Sequence, residues 1–571
     1  MTIATLRMSQ VPILLLGACM VCATLIQSTA SAAEFRRLSV AEYCDKMAAG
    51  WVGQMAGVGW GGPTEFKWKG EIIPEDKMPV WRPGMVNQFH QDDIYVEMTF
   101  LRTLELYGFD VSFSQAGIDF ANSGYPLWHA NRAGRDNLRS GIAPPDSGHP
   151  KFNKHADDID YQIEADFSGL IAPGMPNVAI ELGEKFGRLI NYGDGLYGGQ
   201  FVGGMYAEAF FEDDPVKLVE VGLECIPAKS QYAECIRDVL EWYREEPKDW
   251  QKTWGRINEK YHLNPDYRRF SCSGPSGEFN IDAKINGAYI AMGLLYGNRD
   301  PDATIVISTR CGQDSDCNPA NAGGVLFTTM GMSKLPERFT SELDRSAVFS
   351  HTEYSFSRLV KVCEALVRQA VVRSGGRIER GSGGEEVFVI PVVDPKPGKL
   401  EQCWEPGPAA GSRFTEDELE KIEFVSAQKR LQQDLEKVLP GWKMSHCGPD
   451  MEPGIRAEFA GKKNVFMTHP QDRSVGCVLA KTVDVPAAKK TVLRTVVAHD
   501  PRGDWTLVVK ANGKQLLKMP IRPDAAIDGW VDVEADLSDY AGESVKLELI
   551  NQADGWSFEA GYWSKIAVES R

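Results

Sequence analysis

Apolar residues recur at helical spacing, interleaved with Ala and Gly, from residue 39 to about residue 373. The stretches 198–211 and 285–296 show the pattern most densely. Few segments in this region alternate with period two, so a helical body without a sheet core is expected. Small residues at this density let helices approach closely. After Val372 the pattern breaks at Gly375-Gly376 and at Gly381-Ser382-Gly383-Gly384. Residues 387–390 read as a short strand followed by Pro391, Pro395 and Pro397. A charged helix is predicted over 415–439. It opens on Thr415-Glu416-Asp417-Glu418, a capping box, and is stopped by Pro440-Gly441. From Gly441 the period becomes two. Residues 491–497, 505–510 and 545–550 read as strands, with Asn512-Gly513 and Asp528-Gly529 as turns. The fold class expected is multidomain: an all-α domain over 38–373, a linking segment over 374–441, and an all-β, jelly-roll-like sandwich over 442–571. No internal repeat is visible.

The first 33 residues carry one charge, Arg7. The apolar run 11–26, followed by Ala30 and Ala32 at the spacing of a cleavage site, reads as a signal peptide over 1–32 and implies a secreted or periplasmic protein. The segment Leu16-Gly17-Ala18-Cys19 also offers the alternative of a lipid anchor on Cys19. No later stretch is long and apolar enough to span a membrane, so no integral segment is expected after cleavage.

Composition narrows the function classes. The chain has 571 residues, 43% hydrophobic and 25% charged, as ordinary globular proteins do. Its net charge of −17 disfavours nucleic acid and anionic membranes as main partners. The cysteines beyond Cys22 include no CxxC pair, which argues against a zinc ribbon or a thioredoxin-type site. In an oxidising compartment, Cys225 with Cys235 and Cys447 with Cys477 are the candidate disulfides.

Two acidic clusters carry the candidate chemistry, each at a loop-to-helix junction. They are Gln91-Asp92-Asp93 and Gln313-Asp314-Ser315-Asp316-Cys317. One Asp near a helix N-terminus needs no explanation beyond capping. Two doublets brought together would repel unless a cation lies between them. Hard oxygen donors without histidine suit Mg²⁺, with Ca²⁺ or Mn²⁺ as alternatives, rather than zinc.

With these motifs the chain resembles the ADP-ribosylglycohydrolase family. The family's opening motif, a glycine-rich helix running into G-D-x-L-G-x-P-x-E, is matched by the stretch from Gly53 to Glu65, its T-D-D-T metal motif by Gln91-Asp92-Asp93-Ile94, and its late G-D-x-D-T motif by Gln313-Asp314-Ser315-Asp316-Cys317. The order and rough spacing agree over about residues 40–340. The D-x-D-C-N form looks like that of a secreted bacterial branch. The resemblance implies an all-α fold, a site for one or two metal ions, usually Mg²⁺, ligated by Gln91, Asp92, Asp93, Asp314, Asp316 and Cys317, and hydrolysis at a ribose-like anomeric carbon. Gln91, Ile94 and Cys317 depart from hydroxyl residues of the family, which weakens one of the two metals.

Glycoside cleavage needs a proton donor or a base. Glu65, and Glu164 or Asp166 of the acidic run 157–167, are the catalytic candidates. Trp60 is a candidate to stack on a sugar, and Tyr192 with Asp194, in a segment resembling the family's H-G-D, to line its pocket. The substrate is an ADP-ribosyl conjugate or an extracellular glycan, and export favours the glycan. The alternative is a non-catalytic carbohydrate-binding protein on a degenerate domain. Trp505, Trp530, Trp556 and Trp563 make the sandwich a candidate carbohydrate-binding module.

Overall fold

The computed structural model describes residues 34–487 and 490–570. The expected signal peptide, its cleavage site and Cys19 lie outside the described residues. Among the described residues, no helix is long and apolar enough to cross a membrane.

The helical body is built around helices that are apolar on every side. Val40–Gly61 starts at Ser39, whose hydroxyl accepts the Glu42 amide at 3.1 Å, and is buried along nearly its whole length. Asp194–Ala209, Ala283–Gly297 and Cys317–Met330 are buried in the same way. A helix without a polar face belongs in the interior, and amphipathic helices such as Phe356–Arg373 cover the outside. Val40–Gly61 lies directly on Cys317–Met330. A Cβ on Gly57 would sit 2.3 Å from the Pro319 carbonyl oxygen, and one on Gly61 would sit 2.0 Å from that of Ser315. No side chain fits at either position, so the glycines draw the backbone of the 313–317 loop against the C-terminal end of the first helix. This contact decides where the second acidic cluster lies.

The body also carries a three-stranded sheet, of which the sequence announced only the strand at 387–390. Strand β1 (Phe35–Ser39) pairs antiparallel with β3 (Glu386–Pro391), and β3 pairs with β2 (Arg377–Arg380). Beyond β3, residues 392–412 lie against the helical body. The Asp146 carboxylate accepts the amides of Ala410, Gly411 and Ser412 at 2.8–2.9 Å, and the Tyr197 hydroxyl accepts that of Glu401 at 2.7 Å. The long charged helix is two helices, Glu416–Leu419 with the expected Thr415 capping box and Glu423–Val438. The chain turns at residues 420–422, where Ile422 is buried against the helical body.

The C-terminal domain is a sandwich of two antiparallel five-stranded sheets. Its strands are β4 (Lys443–Ser445), β5 (Gly454–Phe459), β6 (Lys462–Thr468), β7 (Cys477–Asp484), β8 (Thr491–His499), β9 (Trp505–Ala511), β10 (Lys514–Ile521), β11 (Val531–Asp536), β12 (Ser544–Gln552) and β13 (Gly561–Ser570). The sheet orders are β10-β9-β12-β7-β4 and β11-β8-β13-β6-β5. Val545, Leu547 and Leu549 alternate inward along β12, as period two requires. Leu435 of the helix Glu423–Val438 closes one end of this core.

Two sequence expectations change here. Trp505 and Trp563 are fully buried in the sandwich core with ring centroids 5.3 Å apart, and Trp530 is buried with its Nε1 donating to Ala460. Of the four tryptophans expected to meet sugars, Trp556 alone keeps partial exposure. The amphipathic indole serves a core as well as a platform, and period-two patterning does not separate the two. All the described cysteines are free thiols. Cys225 and Cys235 are each buried with no bond between them, whereas the buried thiols of Cys447 and Cys477 are neighbours, and Cys477 lowers the Cys447 thiol below its ordinary value.

Candidate active site

A cavity of about 520 Å³ opens in the helical body. Its wall includes Glu65, Gln91, Asp92, Asp314 and Cys317, drawn from three places far apart in the chain. Glu65 follows the short turn Gly62–Thr64 at the end of the first helix. Gln91 is the N-cap of Asp92–Tyr107, with Asp92 and Asp93 in its first turn. Asp316 is the N-cap of Cys317–Met330. Two helix N-termini thus aim at one place, where their dipoles favour negative charge.

The carboxylates are held together without enough partners. Asp314 has no hydrogen bond on either oxygen among the described residues, and Asp93 has none on Oδ2. Ligand atoms of Asp314, Asp316 and Cys317 lie within 4.8 Å of one another. The Cys317 thiol lies 3.2 Å from Asp93 Oδ1 and 3.6 Å from Asp316 Oδ1, so one side chain spans both acidic pairs. Burial, then Asp316, then Asp92 push Glu65 up to about 8, and burial followed by Asp316 pushes Asp92 up to about 6. Asp93 and Asp314 are driven well above the carboxylate range by burial and by their acidic neighbours. In the metal-free protein burial and Asp314 also hold the Cys317 thiol well above its ordinary value, so there it donates to Asp93. Orphaned buried oxygens, mutual repulsion and an oxygen-rich donor set are what a hard divalent cation requires. The residues present therefore fit the metal that the acidic motifs imply.

The other expected residues fall elsewhere. Glu164 is fully buried behind Asn131, whose side-chain amide donates to it. Asp166 accepts the Tyr206 hydroxyl at 2.8 Å and the Asn321 amide at 2.7 Å, away from the cavity wall. Trp60 is buried and donates to the Pro79 carbonyl at 2.7 Å. Tyr192 packs with Ala156 and Cys403, and Asp194 caps the Tyr232 amide at 3.2 Å beside Lys284. Of the three acid/base candidates, the structure brings Glu65 alone to the wall.

Several wall residues were not singled out by the sequence reading. Trp128, 54% exposed, stands at the mouth. Phe66 and Phe279 meet edge to face at 5.2 Å, and Lys69 lies over the Phe279 ring. Gln313 pins the 278–280 loop, donating to Glu278 O at 2.8 Å and accepting from Asn280 N at 2.9 Å. Asp160 accepts the Asn131 amide at 2.8 Å.

Residues 39–374 match the sequence pattern of the ADP-ribosylglycohydrolase family, more than half of the chain. The chain belongs to the ADP-ribosylglycohydrolase family. Among solved structures, a chain of an ADP-ribosylglycohydrolase-related protein complex is 15% identical, covering 58% of this chain and 99% of that one at a TM-score of 0.35. The chain is matched by CBM35 from Paenibacillus barcinonensis at 10% identity, over 24% of this chain and 96% of that one, with a TM-score of 0.18. It is also matched by the CBM22-1 xylan-binding domain from Paenibacillus barcinonensis Xyn10C at 14% identity, over 23% and 87% of the two chains, with a TM-score of 0.19. No curated protein matches the sequence. Membership supports a glycohydrolase-type function; the family is metal-dependent, and the acidic clusters here are candidate metal ligands.

Proposed function

We propose that the protein is an exported hydrolase that cleaves a glycosidic bond in a neutral glycan or glycoside, using Mg²⁺. The observation that carries the substrate class is the charge of the cavity wall. Glu65, Asp92, Asp160 and Asp314 line it, and Lys69 is the one lysine or arginine among the described wall residues. An ADP-ribosyl group brings a pyrophosphate, whose recognition calls for clustered Arg, Lys or amide donors. A sugar without charge asks instead for carboxylate acceptors and aromatic faces, which the acidic wall, Trp128 and Phe279 provide.

Asp92, Asp93, Asp314 and Asp316 would hold the cation, with the Gln91 side chain beside them. A bound divalent ion supplies Lewis acidity and a template for sugar hydroxyls. Glu65 stands on the same wall and in the metal-free protein is raised to about 8 by burial, Asp316 and Asp92, so it is the group placed to move a proton at the leaving oxygen or at water. Asp93 accepts the Cys317 thiol, which fixes its rotamer toward the centre. Trp128 offers its exposed face to the ring of the substrate. Export and a sugar-binding role for the sandwich belong to the same reading. They are supported by the apolar N-terminal run and by Trp556 and Phe558, which stay at least partly exposed.

The test is a screen of the mature protein on aryl glycosides, oligosaccharides and ADP-ribosyl peptides, with Mg²⁺ and with chelator. Chelator-sensitive release from a neutral glycoside is expected. Release from ADP-ribosyl peptides alone would overturn the substrate class, and no turnover with retained glycan binding would favour the binding-protein alternative.

A further inference from the structure

A second group of donors lies beside the acidic centre and shares the cavity wall through His129. His129, His155, Asp158 and Cys272 each offer one ligand atom, and these atoms all lie within 4.8 Å of one another. They come from three segments. His129 opens the helix His129–Arg139 with φ 38, a left-handed conformation for a non-glycine residue. His155 and Asp158 belong to the turn before Asp160–Ile163, and Cys272 to the 268–282 loop. Asp158 is fully buried, with Oδ2 2.7 Å from His155 Nδ1 and 3.3 Å from His129 Nδ1. Asp158 Oδ1 and His129 Nδ1 have no hydrogen-bond partner among the described residues.

The segments are braced from behind. Asn153 Oδ1 accepts the His155 amide at 2.9 Å, Asn191 Nδ2 donates to the Asp158 carbonyl at 2.8 Å, and Asp158 forms a β-bridge with Asp282. The charges do not balance. Ligand atoms of Asp157, Asp158 and Asp282 also lie within 4.8 Å of one another, all buried. Lys284, 3.5 Å from Asp282, is shared with Asp194 at 3.9 Å. Lys284 and the buried Arg268 guanidinium, which acts on Asp282 and Asp157, are two cations against Asp157, Asp158, Asp194 and Asp282, which leaves repulsion for a further cation to relieve.

We propose that His129, His155, Asp158 and Cys272 form a zinc site, separate from the acidic centre. Two imidazoles, a thiolate and a carboxylate are a borderline-soft set that selects zinc, whereas the oxygen-rich centre selects a hard ion. Zinc bonds of about 2.0–2.3 Å put neighbouring tetrahedral ligands roughly 3.3–3.8 Å apart, so donor pairs would close in by up to about 1.5 Å, while the His155 Nδ1–Asp158 Oδ2 pair, now 2.7 Å apart, would open by roughly half an ångström. On binding, the Cys272 thiol releases its proton to solvent and its sulfur lone pair forms the bond to zinc. Each imidazole binds through an unprotonated nitrogen. The ion would clip the start of the His129 helix to the 155–158 turn and the 268–282 loop. That fixes the side of the cavity bearing Trp128 and Phe279. The site stands independently of the glycosidase reading.

The test uses the full chain, stripped with chelator and titrated with Co²⁺ as a spectroscopic stand-in and then with Zn²⁺. One equivalent of Co²⁺ giving a thiolate charge-transfer band, displaced by Zn²⁺, is expected. Cys272→Ser should remove the band and His155→Gln should weaken Zn²⁺ binding by about 100-fold or more, a greater effect than most outer-shell changes produce. Asp314→Asn should leave both unchanged. The absence of the band, or a band that survives Cys272→Ser in a chain with unchanged circular dichroism, overturns the proposal. Alkylation of the unmodified chain gives a check that needs no variant to fold: Zn²⁺ should protect the Cys272 peptide, and equal labelling with and without Zn²⁺ counts against the site.

Discussion

Asp314 and Glu65 sit on the same wall but are asked to do different things. Both Asp314 oxygens are buried and unpaired, so its charge is tolerated only with a cation beside it. Ligand binding to the folded state alone stabilises by about 2.7 kcal/mol at a hundredfold excess over Kd. Thermal melts should show a gain of this order with Mg²⁺ for the natural chain and little or none for Asp314→Asn, together with loss of turnover. Glu65→Gln should keep the Mg²⁺ gain and lower kcat by about 10²–10⁴, the usual contribution of an acid/base group. A Glu65→Gln variant that retains full activity would remove Glu65 from the chemistry. The Asp pairs were legible in the sequence because polar residues at helix starts are local features. Trp128 and Phe279 were not, because only the tertiary fold tells which loop aromatics face a cavity. Glu164 and Asp166 lie off the wall for a related reason: an acidic run entering a core reads as catalytic, yet which of its members reaches the cavity is set by the tertiary fold, and here Asp160 does while Asn131 holds Glu164 and Tyr206 with Asn321 holds Asp166.

Among elements, the pair formed by Val40–Gly61 and Cys317–Met330 controls the site. Gly57→Ala places a methyl group 2.3 Å from the Pro319 carbonyl oxygen, which forces the helices apart. Overpacking of this kind costs about 1–3 kcal/mol. It would also shift the N-cap Asp316, so Mg²⁺ affinity should fall although no ligand is changed. Calorimetric titration of Gly57→Ala at a temperature where it remains folded checks this. In the sandwich, the neighbouring thiols of Cys447 and Cys477 should oxidise in protein recovered after export, and non-reducing peptide mapping would show it. A bridge closing a loop of this length is worth about 3–4 kcal/mol in the chain-entropy account. The alternating strands of this domain were readable from period two, whereas β1, with two arginines in five residues, gave no such signal.

For the whole molecule, the buried carboxylates set how stability responds to pH. Glu65, Asp92 and Asp166 have folded values raised to about 8, 6 and 7, mainly by burial. The folded, metal-free protein therefore holds protons that the unfolded chain gives up near pH 4. Stability from these groups is present below that pH and is lost as pH rises through the folded values. Metal-free protein should melt at progressively lower temperature from pH 5 to pH 8, and Mg²⁺ should flatten the trend; a metal-free Tm that rises over this range would contradict it. The pairing of β1 with β3 has a mechanical consequence. The Val392 amide bonds to the Glu34 carbonyl at 2.9 Å, so the chain enters the helical body beside the end of β3, from which residues 392–422 run on over the body before the sandwich begins. Tension between an anchored N-terminus and a sandwich gripping a surface would act across those hydrogen bonds one at a time, peeling β1 away like a zip. In a pulling experiment the first event should be a short, low-force extension at this seam, with the acidic cavity still intact behind it.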